Sequence, residues 1–303
     1  MKPLFRLIRL PNLIVVGITQ WVVAVPIIAW TAAEYNLSTA LNHDQLLLLI
    51  LATISIVTAG YCVNDVLDYP IDIVNHPKKV VVIRKISMRT VYWLTAFFGV
   101  FGFTCALILA FQKDEIDFLW LYPFFILLLG GYPKFFKTRP FAGNLLIAAS
   151  CAGVAGLVWL AERSTWQAMP SEAKQEIKFL LIIFMVYAFL ATWIREIVKD
   201  LEDYQGDMLG GRKTFPIAYG VKNAKKFIHF LAILLAATLV INAFYWGNFS
   251  ERLPVVLLSV LLGISIVLMQ WKLTYAIKPL AYHKVSSLWK YFMLGGLALL
   301  FLY

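Results

Sequence analysis

Apolar runs recur along the whole chain, and nine of them approach the length needed to cross a bilayer. They cover roughly residues 12–31, 44–66, 90–111, 117–133, 142–162, 177–199, 224–247, 253–271 and 285–302. A helical crossing takes about 20 apolar residues. The fourth run is short and predicts a helix that is little tilted or partly re-entrant. In hydrocarbon each segment must satisfy its own backbone polar groups, so each run predicts a helix. The expected fold is all-α, a polytopic membrane protein of about nine transmembrane helices. No Gly/Ser linker or shift in composition divides the chain, which predicts one domain over residues 1–303. The basic start MKPLFRLIRLPN leads into an apolar run from Leu13 to Trp30. That run is longer than a usual signal-peptide core, and more spans follow it. It predicts a retained first helix.

Composition agrees: 61% of residues are hydrophobic and 15% charged, against about a quarter charged in a soluble domain. The basic residues also orient the chain. With the N-terminus and the even-numbered loops on one side, that side holds 22 of the 27 Lys and Arg. The positive-inside rule makes it cytoplasmic, with Tyr303 on the far side. In a prokaryote this would be the cytoplasmic membrane. The net charge of +10 sits mostly in short loops beside the spans, so topology and anionic ligands account for it better than nucleic acid. Cys62, Cys105 and Cys151 lie singly in apolar runs and read as small buried hydrophobes.

Two acidic clusters interrupt this apolar pattern. The second run leads into NDVLDYPID, with Asn64, Asp65, Asp68 and Asp72. The sixth leads into REIVKDLEDYQGD, with Asp200, Asp203 and Asp207. Both read D-x-x-D-x-x-x-D. Offsets of three and seven place three residues within about 60° of arc on one helix face. The sets lie 135 positions apart, Asp65 to Asp200, and each follows an even-numbered span. That predicts a duplicated helical unit around a central cavity. Carboxylates at a membrane edge are costly, and six of them converging require cations. Magnesium takes oxygen ligands, usually one or two carboxylates, and completes its shell with water and substrate phosphates. Asn64 adds a neutral oxygen. Two readings compete with a metal clamp: solvated acidic helix ends, and the cation pathway of a transporter. The transporter predicts acids near mid-span, whereas these lie at span ends beside basic loops. The loops HPKKVVVIRKIS, GYPKFFKTRP and GGRKTFPIAYG supply positive charge for a polyanion. The 46 aromatic residues include many inside spans, where faces of rings can stabilise an allylic cation.

These motifs resemble the UbiA-type membrane prenyltransferases over nearly the whole chain. The resemblance implies nine spans, magnesium and a polyprenyl diphosphate donor. It implies Asp68 and Asp203 as catalytic, and Asn64, Asp65, Asp68, Asp72, Asp200, Asp203 and Asp207 as metal ligands. LPN resembles the start of the family's first helix, with Asn12 facing the cavity. GYPKFFKTRPFAGN resembles the segment after its fourth helix, with Tyr132 and Lys137 near the diphosphate. Lys79, Arg139 and Lys213 become head-group contacts, and Arg84 a contact for an acceptor phosphate. The K-D-x-E-D-x-x-G-D form is closest to the branch that prenylates a glyceryl phosphate hydroxyl. Aromatic quinone precursors and chlorophyllide-like alcohols are the alternative acceptors, so the expected partners are a prenyl diphosphate, a lipid-like or aromatic acceptor and membrane lipid. The chain departs from the family pattern at His76, Lys79, Val80 and Arg84. Pro70 within the first motif predicts a kink or helix end that displaces Asp72.

Overall fold

The computed structural model describes residues 2–75, 81–83, 85–131, 136, 139–245 and 253–302. A short helix α1 (Lys2–Leu7) precedes α2 (Leu10–Val22). Arg9, at φ 52°, turns the chain between them. Pro11 lies in the first turn of α2, where its missing N–H costs nothing. The rod continues through a π-helical stretch, Val23–Ala29, into α3 (Trp30–Glu34). Pro26 sits inside that stretch and cannot donate to the preceding turn, a common cause of such widening.

The next helices are α4 (His43–Asn75), α5 (Met88–Lys113), α6 (Leu121–Gly131) and α7 (Ala142–Ala161). A 3-10 turn, Ile116–Trp120, leads into α6. A short α8 (Arg163–Ala168) precedes α9 (Ser171–Glu202), α10 (Tyr204–Leu209) and α11 (Phe215–Tyr219). Helices α12 (Val221–Tyr245), α13 (Leu253–Tyr275) and α14 (Pro279–Phe301) complete the order. The described residues contain no strand beyond an isolated bridge between Val82 and Ile86.

The fold is all-α, as the apolar pattern predicts. Among the described residues, seven helical rods are long and apolar enough to cross a membrane. The fourth expected span is the 11-residue α6 with its 3-10 lead, and the ninth is α14. The protein is an integral membrane protein. Its outer surface agrees with this: Trp93, Leu127, Ile233 and Val267 are each 67–75% exposed on helices, a surface that lipid rather than water would cover.

The halves repeat. Shifting α4, α5, α6 and α7 by 135 positions brings their residue ranges onto those of α9 with α10, α12, α13 and α14. Helix α9 is the hub of the second half, burying Ile194, Ile197 and Val198 against Leu231, Leu273 and Trp289. Its N-terminal part buries Leu181 against Val23 and Ile28 of the first rod.

The 33 residues of α4 extend about 50 Å at 1.5 Å per residue, well past the ~30 Å hydrocarbon core. Its C-terminal turns, which carry the first acidic motif, therefore project beyond the apolar stretch. The helix does not end at Pro70 and runs on to Asn75. Proline fixes a helical φ and removes one hydrogen bond, a local loss that the flanking turns absorb. Asp72 remains on the helix.

Candidate active site

The two motifs meet at one end of the bundle. Asn75, at the last turn of α4, clips them together: its Oδ1 accepts from the Gly206 N–H at 2.9 Å, and its Nδ2 donates to the Asp203 carbonyl at 3.2 Å. Gly206 is required by this approach, because a Cβ there would lie 2.2 Å from Asn75 Oδ1.

The first motif lies on one helical face, as its spacing predicts. Asn64 Nδ2 donates to Asp68 Oδ2 at 2.8 Å, one turn along. The second motif is divided. Asp200 lies in the last turn of α9, Asp203 caps that helix at φ −91° and ψ 3°, and Asp207 belongs to α10. The sequence offsets predict a single face, but the backbone breaks at Asp203 and redirects Asp207 toward α4.

One cation links the motifs. Arg212 donates through Nη2 to Asp68 Oδ1 and through Nη1 to Asp207 Oδ1, the latter at 3.1 Å. Gly211, at φ +69°, makes the turn that returns Arg212 beneath Asp207. The Arg212 side chain is 11% exposed and those of Asp68 and Asp207 only 5% and 4%. Burial disfavours the guanidinium charge, but Asp68 and Asp207 outweigh it and hold its pKa above the ordinary value.

Two of the remaining acids, Asp65 and Asp200, have partners elsewhere in the bundle. Arg9 Nη2 donates to Asp65 Oδ1 at 2.8 Å and lies over the Tyr61 ring at 4.5 Å. Burial opposes its charge too, and Asp65 reverses that, raising the Arg9 pKa. Asn12 reaches the same site through Tyr61, donating to its Oη at 3.2 Å. On α7, Asn144 donates to Asp200 Oδ2 at 2.7 Å.

Of the expected substrate contacts, Asn12 joins this cluster, whereas Lys213 and Arg139 are exposed. Lys79, Arg84, Tyr132 and Lys137 lie outside the described residues. Arg9, Asn75, Asn144 and Arg212 were not singled out from sequence. Each lay inside or beside a stretch the sequence had marked, Arg9 in MKPLFRLIRLPN, Asn75 just after NDVLDYPID, Asn144 at the end of GYPKFFKTRPFAGN and Arg212 in GGRKTFPIAYG, but none was given a role.

The donor set suits a hard cation. Its side-chain oxygens come from aspartates and one asparagine, and a guanidinium already bridges Asp68 and Asp207. Among the described residues no three acidic, imidazole or thiol side chains form a ready metal cage. Magnesium usually takes one or two carboxylates and its other ligands from water and phosphate.

A cavity of about 170 Å³ lies between α4, α5, α6 and α7. Its apolar wall includes Ala52, Ile56, Ala106, Phe125 and Leu157, while Lys113, Glu115 and Arg163 sit at the opposite end from the aspartates. Val57 on its wall is about two turns from Asp65, and Leu49 about four. In the second half, Tyr187 stands 135 positions from Ala52. Its ring stacks on Phe292 at 5.2 Å and its Oη donates to the Phe292 carbonyl at 2.7 Å. Only about 20 Å³ remains in the cavity beside it.

Comparison with known proteins bears on this arrangement. Digeranylgeranylglyceryl phosphate synthase of Sulfurisphaera tokodaii is 27% identical over 95% of this chain and 94% of its own. The enzyme of that name from Thermococcus gammatolerans is 30% identical over 70% of this chain and 72% of its own. A solved structure described as that synthase in membranes has a TM-score of 0.66 at 22% identity, covering 99% of this chain and 96% of its own. A UbiA homolog from Archaeoglobus fulgidus, bound to GPP and Mg2+, has a TM-score of 0.58 at 16% identity, with 98% and 99% covered. These structures speak for the fold. The sequence model of the UbiA prenyltransferase family matches residues 21–293, a range that takes in both aspartate motifs and leaves out only α1, the opening of the first rod and the end of α14, and the chain belongs to that family.

Proposed function

We propose that residues 1–303 act as one magnesium-dependent prenyltransferase domain, transferring a geranylgeranyl-type group from its diphosphate to the hydroxyl of a prenylglyceryl phosphate. The observation that carries this reading is the junction of the two motifs, where Arg212 joins Asp68 to Asp207 and Asn75 joins α4 to α10. The relatives similar over most of the chain carry the name digeranylgeranylglyceryl phosphate synthase.

Asn64, Asp68, Asp203 and Asp207, with Asp65, Asp72 and Asp200 assisting, would hold Mg2+, which would supply positive charge to the diphosphate oxygens. Arg212 is placed to move from the carboxylates onto those oxygens, with Lys213 and Arg139 at the rim. Lys79, Tyr132 and Lys137 remain proposed diphosphate contacts and Arg84 an acceptor contact. The C1–O bond of the donor breaks and its electron pair leaves with diphosphate. The acceptor oxygen then bonds to C1 and its proton passes to solvent or to a site acid. Cations held around the diphosphate stabilise the charge that develops as this bond breaks. The apolar cavity beside Ala52 takes the isoprenoid tail and keeps water from the allylic cation. The aspartate face is the cytoplasmic one, following the basic loops.

The test is purified protein in detergent with prenyl diphosphates of several lengths. The acceptors would be a glyceryl phosphate ether, an aromatic acid and a chlorophyllide-like acceptor, with products read by mass. A prenylated glyceryl phosphate that requires Mg2+ is expected. Product with the aromatic acid alone would overturn the acceptor assignment.

A further inference from the structure

A cation pair lies deeper along α9 than the aspartates. Arg195 Nη1 donates to Glu196 Oε1 at 2.8 Å. Lys199 Nζ reaches the two oxygens of the same carboxylate at 3.2 and 3.1 Å. Two cations thus share one anion. The next acid along the helix, Asp200, accepts from Asn144 instead. The Arg195 and Glu196 side chains are only 15% and 12% exposed, and the Arg195 Nε–H is buried with no partner among the described residues. Cys151 of α7 and Arg9 lie within electrostatic reach of Glu196, so Glu196 faces α7 and the first rod, while the Lys199 side chain is 36% exposed. Desolvating an unpaired ion costs several kcal/mol. The spare positive charge and the open N–H both point to an anionic ligand.

We propose that Arg195 and Lys199 bind the phosphate of the acceptor. This rests on the prenyl-transfer reading and adds to it a second anion site, separate from the diphosphate. Along α9, Arg195 lies about 12 Å from Asp203 at 1.5 Å per residue. Lys199 lies only about 6 Å from Asp203 on the same measure, so a phosphate on Arg195 sits inward of the diphosphate with Lys199 between the two anions. The glycerol hydroxyl, a few bonds from that phosphate, extends back toward the donor C1. Glu196 holds both cations in position and leaves Arg195 Nε free to donate.

The test compares two acceptors on the same preparations: geranylgeranylglyceryl phosphate and the alcohol lacking its phosphate. The quantity read is the ratio of their kcat/KM values, which does not depend on how much of each variant folds. Wild type is expected to prefer the phosphorylated acceptor, and Arg195→Gln and Lys199→Gln each to lose about tenfold or more of that preference, the worth of a charge-assisted hydrogen bond. Arg195→Lys keeps the charge and retains part of it. An unchanged ratio in both Gln variants would overturn the site. Wild type that uses both acceptors equally well would overturn the phosphate site alone. Wild type that prenylates neither would count against prenyl transfer to a glyceryl hydroxyl.

Discussion

Gly206→Ala separates the assembly of the site from its ligands. The residue contributes no side chain and lies within α10, where alanine is favoured over glycine by about 1 kcal/mol. The added Cβ would lie 2.2 Å from Asn75 Oδ1 and 2.6 Å from Nδ2, so the Asn75 amide must move away. Its bonds to the Gly206 N–H and the Asp203 carbonyl are then lost. At about 0.5–1.5 kcal/mol each, the loss is about 1–3 kcal/mol. Set against the helix gain, the overall stability change is about 0–2 kcal/mol. The clip between α4 and α10, by contrast, is lost entirely. The expected result is a Tm within a few degrees of wild type and an apparent Mg2+ requirement raised about tenfold, since 1.4 kcal/mol is a factor of ten. Diphosphate release against Mg2+ concentration measures this. Asn75→Ala removes the same bonds without adding bulk and should behave alike, and the double variant should be no worse than either. A normal Mg2+ curve for both single variants would refute the claim that this clip assembles the metal site.

The other predictions address individual groups. Asp68→Ala and Asp203→Ala should abolish Mg2+-dependent diphosphate release while the protein still inserts into membranes; near-normal turnover in both would refute their assignment. Arg212→Gln leaves two buried carboxylates without their shared cation. Breaking such a pair costs up to about 3–5 kcal/mol, so the metal-free variant should melt below wild type and gain more Tm from added Mg2+. Equal Mg2+ shifts would show that Arg212 does not stand where the metal charge is needed. Ala52→Tyr, copying the residue at the equivalent place in the second half, should fill the cavity and shift preference toward shorter donors in a chain-length competition read by mass. An unchanged product profile would remove the cavity from the tail path.

What was legible in the sequence was what is local in it. The apolar runs fix the helices, because length and hydropathy leave a bilayer segment little choice. Both acidic motifs were legible because their spacing and their 135-residue offset reinforce each other. The pairing across space was not. Arg9 with Asp65, Asn144 with Asp200 and Asn75 with Gly206 join residues 56, 56 and 131 positions apart, and no periodicity encodes such partners. Arg212 and Lys213 are equivalent on charge alone. The positive φ of Gly211 decides between them, sending Arg212 inward and leaving Lys213 exposed. Pro70 does not end α4, which runs on to Asn75. Its cost is one hydrogen bond, and whether a helix ends there depends on what holds the turns beyond it. Here Asn75 holds them through α10.

The duplication explains why one site serves two repeats that have diverged. Each repeat supplies one acidic helix end, and neither repeat alone brings carboxylates from two helices to a shared cation. The acids therefore had to be retained in both. The apolar interiors were under no such constraint, since a single substrate tail needs a single channel. At the equivalent position the first repeat carries Ala52 on an open cavity wall, and the second carries Tyr187, stacked on Phe292 and packed against Gly296. A Cβ at Gly296 would lie 1.9 Å from the Tyr187 ring, so the second interior is filled by a large residue matched to a missing one. Close packing of that kind stabilises a bundle, while the open cavity in the first repeat forgoes those contacts. Symmetry is thus kept at the charged end, where both halves must contribute, and lost in the apolar interior, where only one half has to stay open.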